Sequence, residues 1–168
     1  MKKLSTIFII ISISILASGC GKYYSFTGAN TAAETVQIDY FPNNAPLVEP
    51  SLSPKFTEYL QDLFVRQTNL TLVNSGGELQ IEGEITNYTI NPTAATADQT
   101  AAQNRLTITV NVRFYNNLND EDNFEKNFSH YYDYGANEQL AGSTLEAAYE
   151  EIFEKITQDI FSATVAKW

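Results

Sequence analysis

The sequence predicts an α+β domain in which two helices pack on one face of a small, mostly antiparallel four- to five-stranded sheet. Three observations predict it. Several segments alternate apolar and polar residues one by one, the mark of strands with a dry face and a wet face. Two segments repeat apolar residues at helical spacing, one before most of the strands and one after them all. The strands between those helices are joined by turn-rich or low-complexity segments rather than by further helices. They are therefore expected to run antiparallel, and two one-sided helices need a single sheet face to cover.

Taken in order, Val36 to Phe41 (VQIDYF) alternates and reads as a strand, followed by a turn-rich stretch from Pro42 to Pro50. Ser53 and Pro54 read as the N-cap and first position of a helix. Phe56, Leu60, Leu63, Phe64 and Gln67 mark its face, and its end falls near Thr68 or Asn69. Leu70 to Val73 is a short strand or lead-in, and Asn74 to Gly77 is a turn. Leu79, Ile81, Gly83 and Ile85 alternate with Gln80, Glu82 and Glu84. Tyr88 and Ile90 break that parity, so a bulge is expected near Thr86 or Asn87.

Pro92 to Asn104 is small and polar and reads as a long flexible loop. Leu106, Ile108, Val110, Val112 and Phe114 alternate with Thr107, Thr109, Asn111, Arg113 and Tyr115, the clearest strand of the chain. Asn116 to Asn123 forms a hairpin-type loop. A last strand over Phe124 to Tyr134 keeps Phe124, Phe128, Tyr132 and Tyr134 on one parity. Ser143 to Glu146 (STLE) reads as a capping box. It opens a helix whose face is Leu145, Ala148, Tyr149, Ile152, Phe153, Ile156, Ile160 and Phe161.

Ahead of this domain stands MKKLSTIFIIISISILASGC. Lys2 and Lys3 form a charged start, Leu4 to Leu16 an apolar run too short to span a bilayer, and Ala17 to Gly19 a small-residue cleavage site. Cys20 directly follows, the layout of a lipoprotein signal, with an ordinary signal and a stray cysteine as the alternative. The expected organisation is residues 1–19 as signal peptide, 20–33 as a tether acylated on Cys20, and 34–168 as one domain. Removing residues 1–19 takes two lysines with it, so Lys+Arg falls from 10 to 8 against 20 Asp+Glu, a formal charge of −12. A surface that acidic repels nucleic acid and anionic lipid at long range. Cys20 is the only cysteine, so no intrachain disulfide is available. The core must hold the fold alone, and ten Phe and ten Tyr help to supply it.

The residues make no case for an enzyme. His130 is the only histidine, and no second His or Cys completes a zinc site, so no metal or cofactor is expected. Asn119 to Asp122 lacks the spacing and glycine of a calcium loop and reads as a solvated hairpin tip. Glu78, Glu82 and Glu84 have no partner to act as general acid. Tyr131, Tyr132 and Tyr134 suit either ligand stacking or cross-strand packing.

Ser25 to Ala29, Val36 to Val48, Phe56 to Asp62, Gln67 to Gly77, Leu79 to Ile85 and Arg105 to Phe114 together resemble the LptE-type lipopolysaccharide-assembly lipoproteins. The resemblance runs from about Tyr23 to Tyr134. It implies two helices on one face of a small sheet, the layout reached above without it. It also implies an outer-membrane lipoprotein on the periplasmic face that plugs, and supports the folding of, a β-barrel inserting lipopolysaccharide. Some members contact lipopolysaccharide through basic residues. The residues of this chain placed for such contact are Arg105 and Arg113, on the wet parity of one strand, and Lys126 on the next; scattered surface charge is the plainer reading. The other function considered is a lipoprotein that captures a glycan or peptide on its aromatic strands.

Overall fold

The structure is a computed structural model and describes residues 31–47, 49–93 and 102–166. The expected signal segment, Cys20 and most of the expected tether lie outside the described residues. The elements are β1 (Thr35–Ile38), α1 (Leu52–Gln67), β2 (Thr71–Val73), β3 (Leu79–Thr93), β4 (Gln103–Asn116), β5 (Phe124–Gly135) and α2 (Ser143–Thr164), with a short 3₁₀ turn at Asp120–Asp122. The sheet order is β2-β1-β3-β4-β5. The predicted architecture holds: α+β, with two helices on one face of a five-stranded sheet that is antiparallel along its long strands.

β3 pairs with β4 from Leu79↔Asn116 to Thr93↔Gln103, and β4 pairs with β5 from Phe114↔Phe124 to Gln103↔Gly135. The antiparallel expectation fails at β2. β2 and β3 both lie parallel to β1, on its two sides, at Val36↔Leu72 and Val36↔Leu79. α1 supplies the crossover that a parallel β1–β2 pair requires. The chain then passes β1 through a close approach at Gly77, where a Cβ would lie 2.6 Å from the Gln37 backbone nitrogen. Glu78 secures this crossing: its carboxylate accepts from the Glu34 and Thr35 backbone N–H groups, and its own N–H donates to the Thr35 hydroxyl.

The expected bulge is present as a register shift between Ile85 and Asn87. It returns Tyr88 to the buried side opposite Ile108. The expected loop from Pro92 to Asn104 is too long at both ends, because Pro92↔Asn104 and Thr93↔Gln103 are ladder pairs. Pro92 is tolerated there because, among the described residues, β3 has no strand on its other side beyond Ile85.

Both helix starts depart from expectation. α1 begins at Leu52 with Ser51 as N-cap, and Ser53 is buried, its carbonyl accepting from the Thr57 hydroxyl. Pro54 still lies in the first turn, where its missing N–H has no intrahelical partner to lose. The capping box does not form at α2. Gly142, with φ +56°, is the N-cap, and Glu146 instead binds Lys55 of α1.

The helices run parallel: Lys55 meets Glu146 near their starts, and the Phe64 and Phe161 rings meet at 5.3 Å near their ends. Between them and the sheet lies the core, including Val36, Phe41, Phe56, Leu60, Ile81, Ile85, Ile108, Val110, Phe114, Ile152, Phe153 and Ile160. An edge-to-face relay, Phe41–Phe56–Phe153, joins the β1–α1 connection to both helices at 5.4 Å per step. Gly83 makes room for it, since a Cβ there would sit 2.7 Å from the Phe41 ring and 2.1 Å from the Asn111 carbonyl oxygen.

Candidate functional site

Strand alternation gives every core residue of β3, β4 and β5 a neighbour on the opposite side of the sheet. Among the described residues that opposite face has no helix on it. It is built in cross-strand rows: Glu82–Arg113–Glu125, Glu84–Asn111–Asn127, Asn87–Thr109–Ser129, Thr89–Thr107–Tyr131 and Asn91–Arg105–Asp133. The rows are bonded internally. Thr109 and Ser129 share a hydroxyl hydrogen bond of 2.9 Å, and Asn111 donates to Asn127 at 3.0 Å.

Both arginines of this face are held by carboxylates. Arg113 donates to Glu82 at 2.8 Å and to both oxygens of Glu84 at 3.0 and 3.2 Å. Arg105 makes a two-pronged contact with Asp133, both bonds at 2.7 Å, and its guanidinium lies 3.6 Å from the centre of the Tyr131 ring. The hydrogen bonds from Arg105 hold the Asp133 carboxyl below its ordinary range, and those that Arg113 donates to Glu82 and Glu84 raise its guanidinium further above its own.

The residues named for glycolipid contact are not gathered into one patch. Arg105 and Arg113 share the open face but stand eight residues apart on β4, roughly 27 Å along a strand. Lys126 pairs with Val112 and so takes the helix side of the sheet, its ammonium 5.0 Å from the Phe128 ring. An anion reaching either guanidinium would have to share it with carboxylates already bound. The three tyrosines also separate. Tyr131 is on the open face, while Tyr132 and Tyr134 point toward the helices, and Tyr134 is buried. No concave aromatic site results from them. His130, also on the helix side, places its Nε2 2.8 Å from Asp159 of α2. Asp122 bonds the Asn116 and Asn119 amides, as befits a hairpin tip. Among the described residues no group of His, Cys, Asp or Glu is arranged to hold a metal, and no helix is long and apolar enough to cross a membrane.

The feature that sequence reasoning missed lies between the helices. Lys55, Glu58, Tyr59 and Asp62 of α1 face Glu146, Tyr149, Glu150 and Phe153 of α2 across an open groove of about 330 Å³. The signal was available: both sets follow the spacing i, i+3, i+4, i+7, a single stripe along each helix.

The class these surfaces define is an α+β domain with a polar, internally bonded sheet face braced by helices. A family model for LptE, lipopolysaccharide-assembly, matches residues 33–164, which takes in every strand and both helices among the described residues. The chain belongs to the LptE lipopolysaccharide-assembly family. No curated protein sequence matches it. Among solved structures it is similar to the hypothetical protein CT253 from Chlamydia trachomatis, with TM-score 0.57, 11% identity, and 81% of this chain and 100% of that one covered. It is also similar to uncharacterized lipoprotein B from Nitrosomonas europaea, with TM-score 0.51, 17% identity, and 84% and 88% covered. The PelC dodecamer from Paraburkholderia phytofirmans gives TM-score 0.50 and 8% identity, with 82% and 93% covered. At these identities the likeness is one of fold.

Proposed function

We propose that this chain is an outer-membrane lipoprotein that partners the β-barrel of the lipopolysaccharide-assembly machinery, sitting in its lumen from the periplasmic side. The observation that carries this reading is the family match over residues 33–164. The open sheet face is physically suited to it. A barrel lumen is polar, and this face offers hydroxyls, amides and two guanidinium groups already bonded to carboxylates, with Glu82, Glu84, Glu125 and Asp133 leaving it net negative. Pairing with carboxylates lowers the cost of enclosing the two guanidinium groups. In this proposal residues 1–19 are removed on export, Cys20 carries the acyl chains including palmitate, and residues 20–33 span from the inner leaflet to the domain. Neither a catalytic step nor a cofactor is part of it.

The test is purification of the tagged full chain from outer-membrane extracts in mild detergent. Stoichiometric retention of a β-barrel protein is expected, together with loss of lipopolysaccharide at the cell surface on depletion. A clean monomer with no barrel attached would overturn the reading. Cys20→Ala is expected to move the protein out of the outer-membrane fraction. If it stays there, the barrel rather than the lipid is the principal anchor.

A further inference from the structure

The groove between α1 and α2 is half filled by the protein itself. At one end, Lys55 sends its ammonium across to the Glu146 carboxylate at 2.7 Å, with the centre of the Tyr149 ring 5.6 Å away. A cation over an aromatic floor with a carboxylate beside it is a favourable arrangement. The rest of the groove repeats the same parts without the cation. Its floor is Tyr59 and Phe153, edge to face at 6.0 Å, with Tyr149 stacked on Phe153 at 5.1 Å. Its walls carry Glu58 and Asp62 on one side and Glu150 on the other. Among the described residues Glu58 and Glu150 make no ion pair, and Asp62 has only Arg66 at 3.8 Å, with both side chains mostly exposed. The Tyr59 hydroxyl registers the surplus of negative charge: burial, then Glu154 and Glu150, hold its ionisation above the ordinary range.

We infer that this free end of the groove receives an arginine or lysine side chain from a protein partner. The aliphatic stem would lie along the partly exposed Tyr59 ring, above the buried Phe153, and the cationic head between Glu58 and Glu150, as Lys55 already does one turn away. The volume of about 330 Å³ is at the small end of ligand pockets and suits a long side chain better than a larger molecule. The inference does not depend on the barrel reading, since the groove lies on the helix side, away from the open sheet face.

The probe is a short blocked peptide with one central arginine, compared with the same peptide carrying neutral citrulline. The full chain in detergent is titrated at low salt while aromatic ring resonances are followed by NMR. The arginine peptide is expected to shift the Tyr59 and Phe153 rings, with weaker binding as salt rises. Glu58→Lys with Glu150→Lys is expected to weaken it by about tenfold or more. Asp120→Lys with Glu121→Lys, the same charge change at the hairpin tip, is expected to leave it unaltered. Equal shifts from the citrulline peptide, or equal losses in both double variants, would overturn the proposal. Tighter saturation of the same rings by magnesium ions would assign the site to a free cation and overturn it as well. In cells, a photoreactive residue in place of Glu58 is expected to attach to a partner peptide with Arg or Lys within a few residues of the link. Attachment only to lipid, or to segments without a basic residue, counts against it.

Discussion

The two faces of the sheet are made from the same strands, one residue out of step, and they solve opposite problems. On the helix side, Ile81, Ile85, Ile108, Val110 and Phe114 are fully or nearly fully buried, and what holds them is apolar area removed from water. On the open side, Glu82, Glu84, Asn111, Arg113, Thr109 and Ser129 remain in reach of water and are held by one another. The first face fixes the fold. The second is ordered without being needed for the core, which leaves it free for recognition. Within one protein, the residues that close the core and those that order the open face are separated by the thickness of a single sheet.

That division is tested most severely at Phe153. Its ring meets Phe56, Tyr59 and Tyr149, so truncation removes contacts from α1, from α2 and from the sheet-facing relay at once. Phe153→Ala is expected to cost about 3–5 kcal/mol in equilibrium urea unfolding. On the open face, Arg113→Ala is expected to cost no more than about 1 kcal/mol, because its pairs are partly solvated. The loss there is expected to shrink with added salt, since what remains is repulsion among Glu82, Glu84 and Glu125. Comparable costs at the two positions, or an Arg113 effect indifferent to salt, would break the comparison.

The sequence carried the sheet faces well, because strand parity is a period-two signal that depends on nothing distant. The bulge at Ile85–Asn87 was legible for the same reason: Tyr88 is an aromatic on the wrong parity unless a residue is inserted. What parity cannot carry is the order of strands. β2 is three residues long and takes its place beside β1 only because α1 returns it there, so the short strand or lead-in expected over Leu70 to Val73 is a strand, and its parallel edge position is what parity does not show. The helix caps were misread because Ser53 and Ser143 have tertiary or local alternatives: Ser53 is drawn into the core, and Glu146 finds Lys55 on the other helix. The candidate site was the least legible part. Spacing placed Arg105 and Arg113 on one face, but their carboxylate partners come from β5 and β3, at pairings no single strand reveals. The inter-helix groove stayed hidden because each helix alone shows an ordinary solvated stripe, and the concavity exists only where two such stripes meet.

The smallest effect expected separates the two faces by pH. Asp133 is bonded twice by Arg105, and those bonds hold its folded-state pKa below the ordinary value of 3.8. A depressed carboxyl adds stability that is fully present above the unfolded pKa and disappears as pH falls through the folded one. The stability difference between the native chain and Asp133→Asn is therefore expected to hold level from neutral pH down to about pH 5, and to close on acidification below 3.8. The difference between the native chain and Phe153→Ala contains no titrating group and should not follow that course. Denaturant unfolding of the three proteins at a series of pH values reads both at once. If the Asp133→Asn difference persisted unchanged at pH 2, the two bonds from Arg105 would contribute nothing through the charge of Asp133. The open face would then owe its order to the hydroxyl and amide rows beside them, and arginine–carboxylate pairing would be removed as one of its supports.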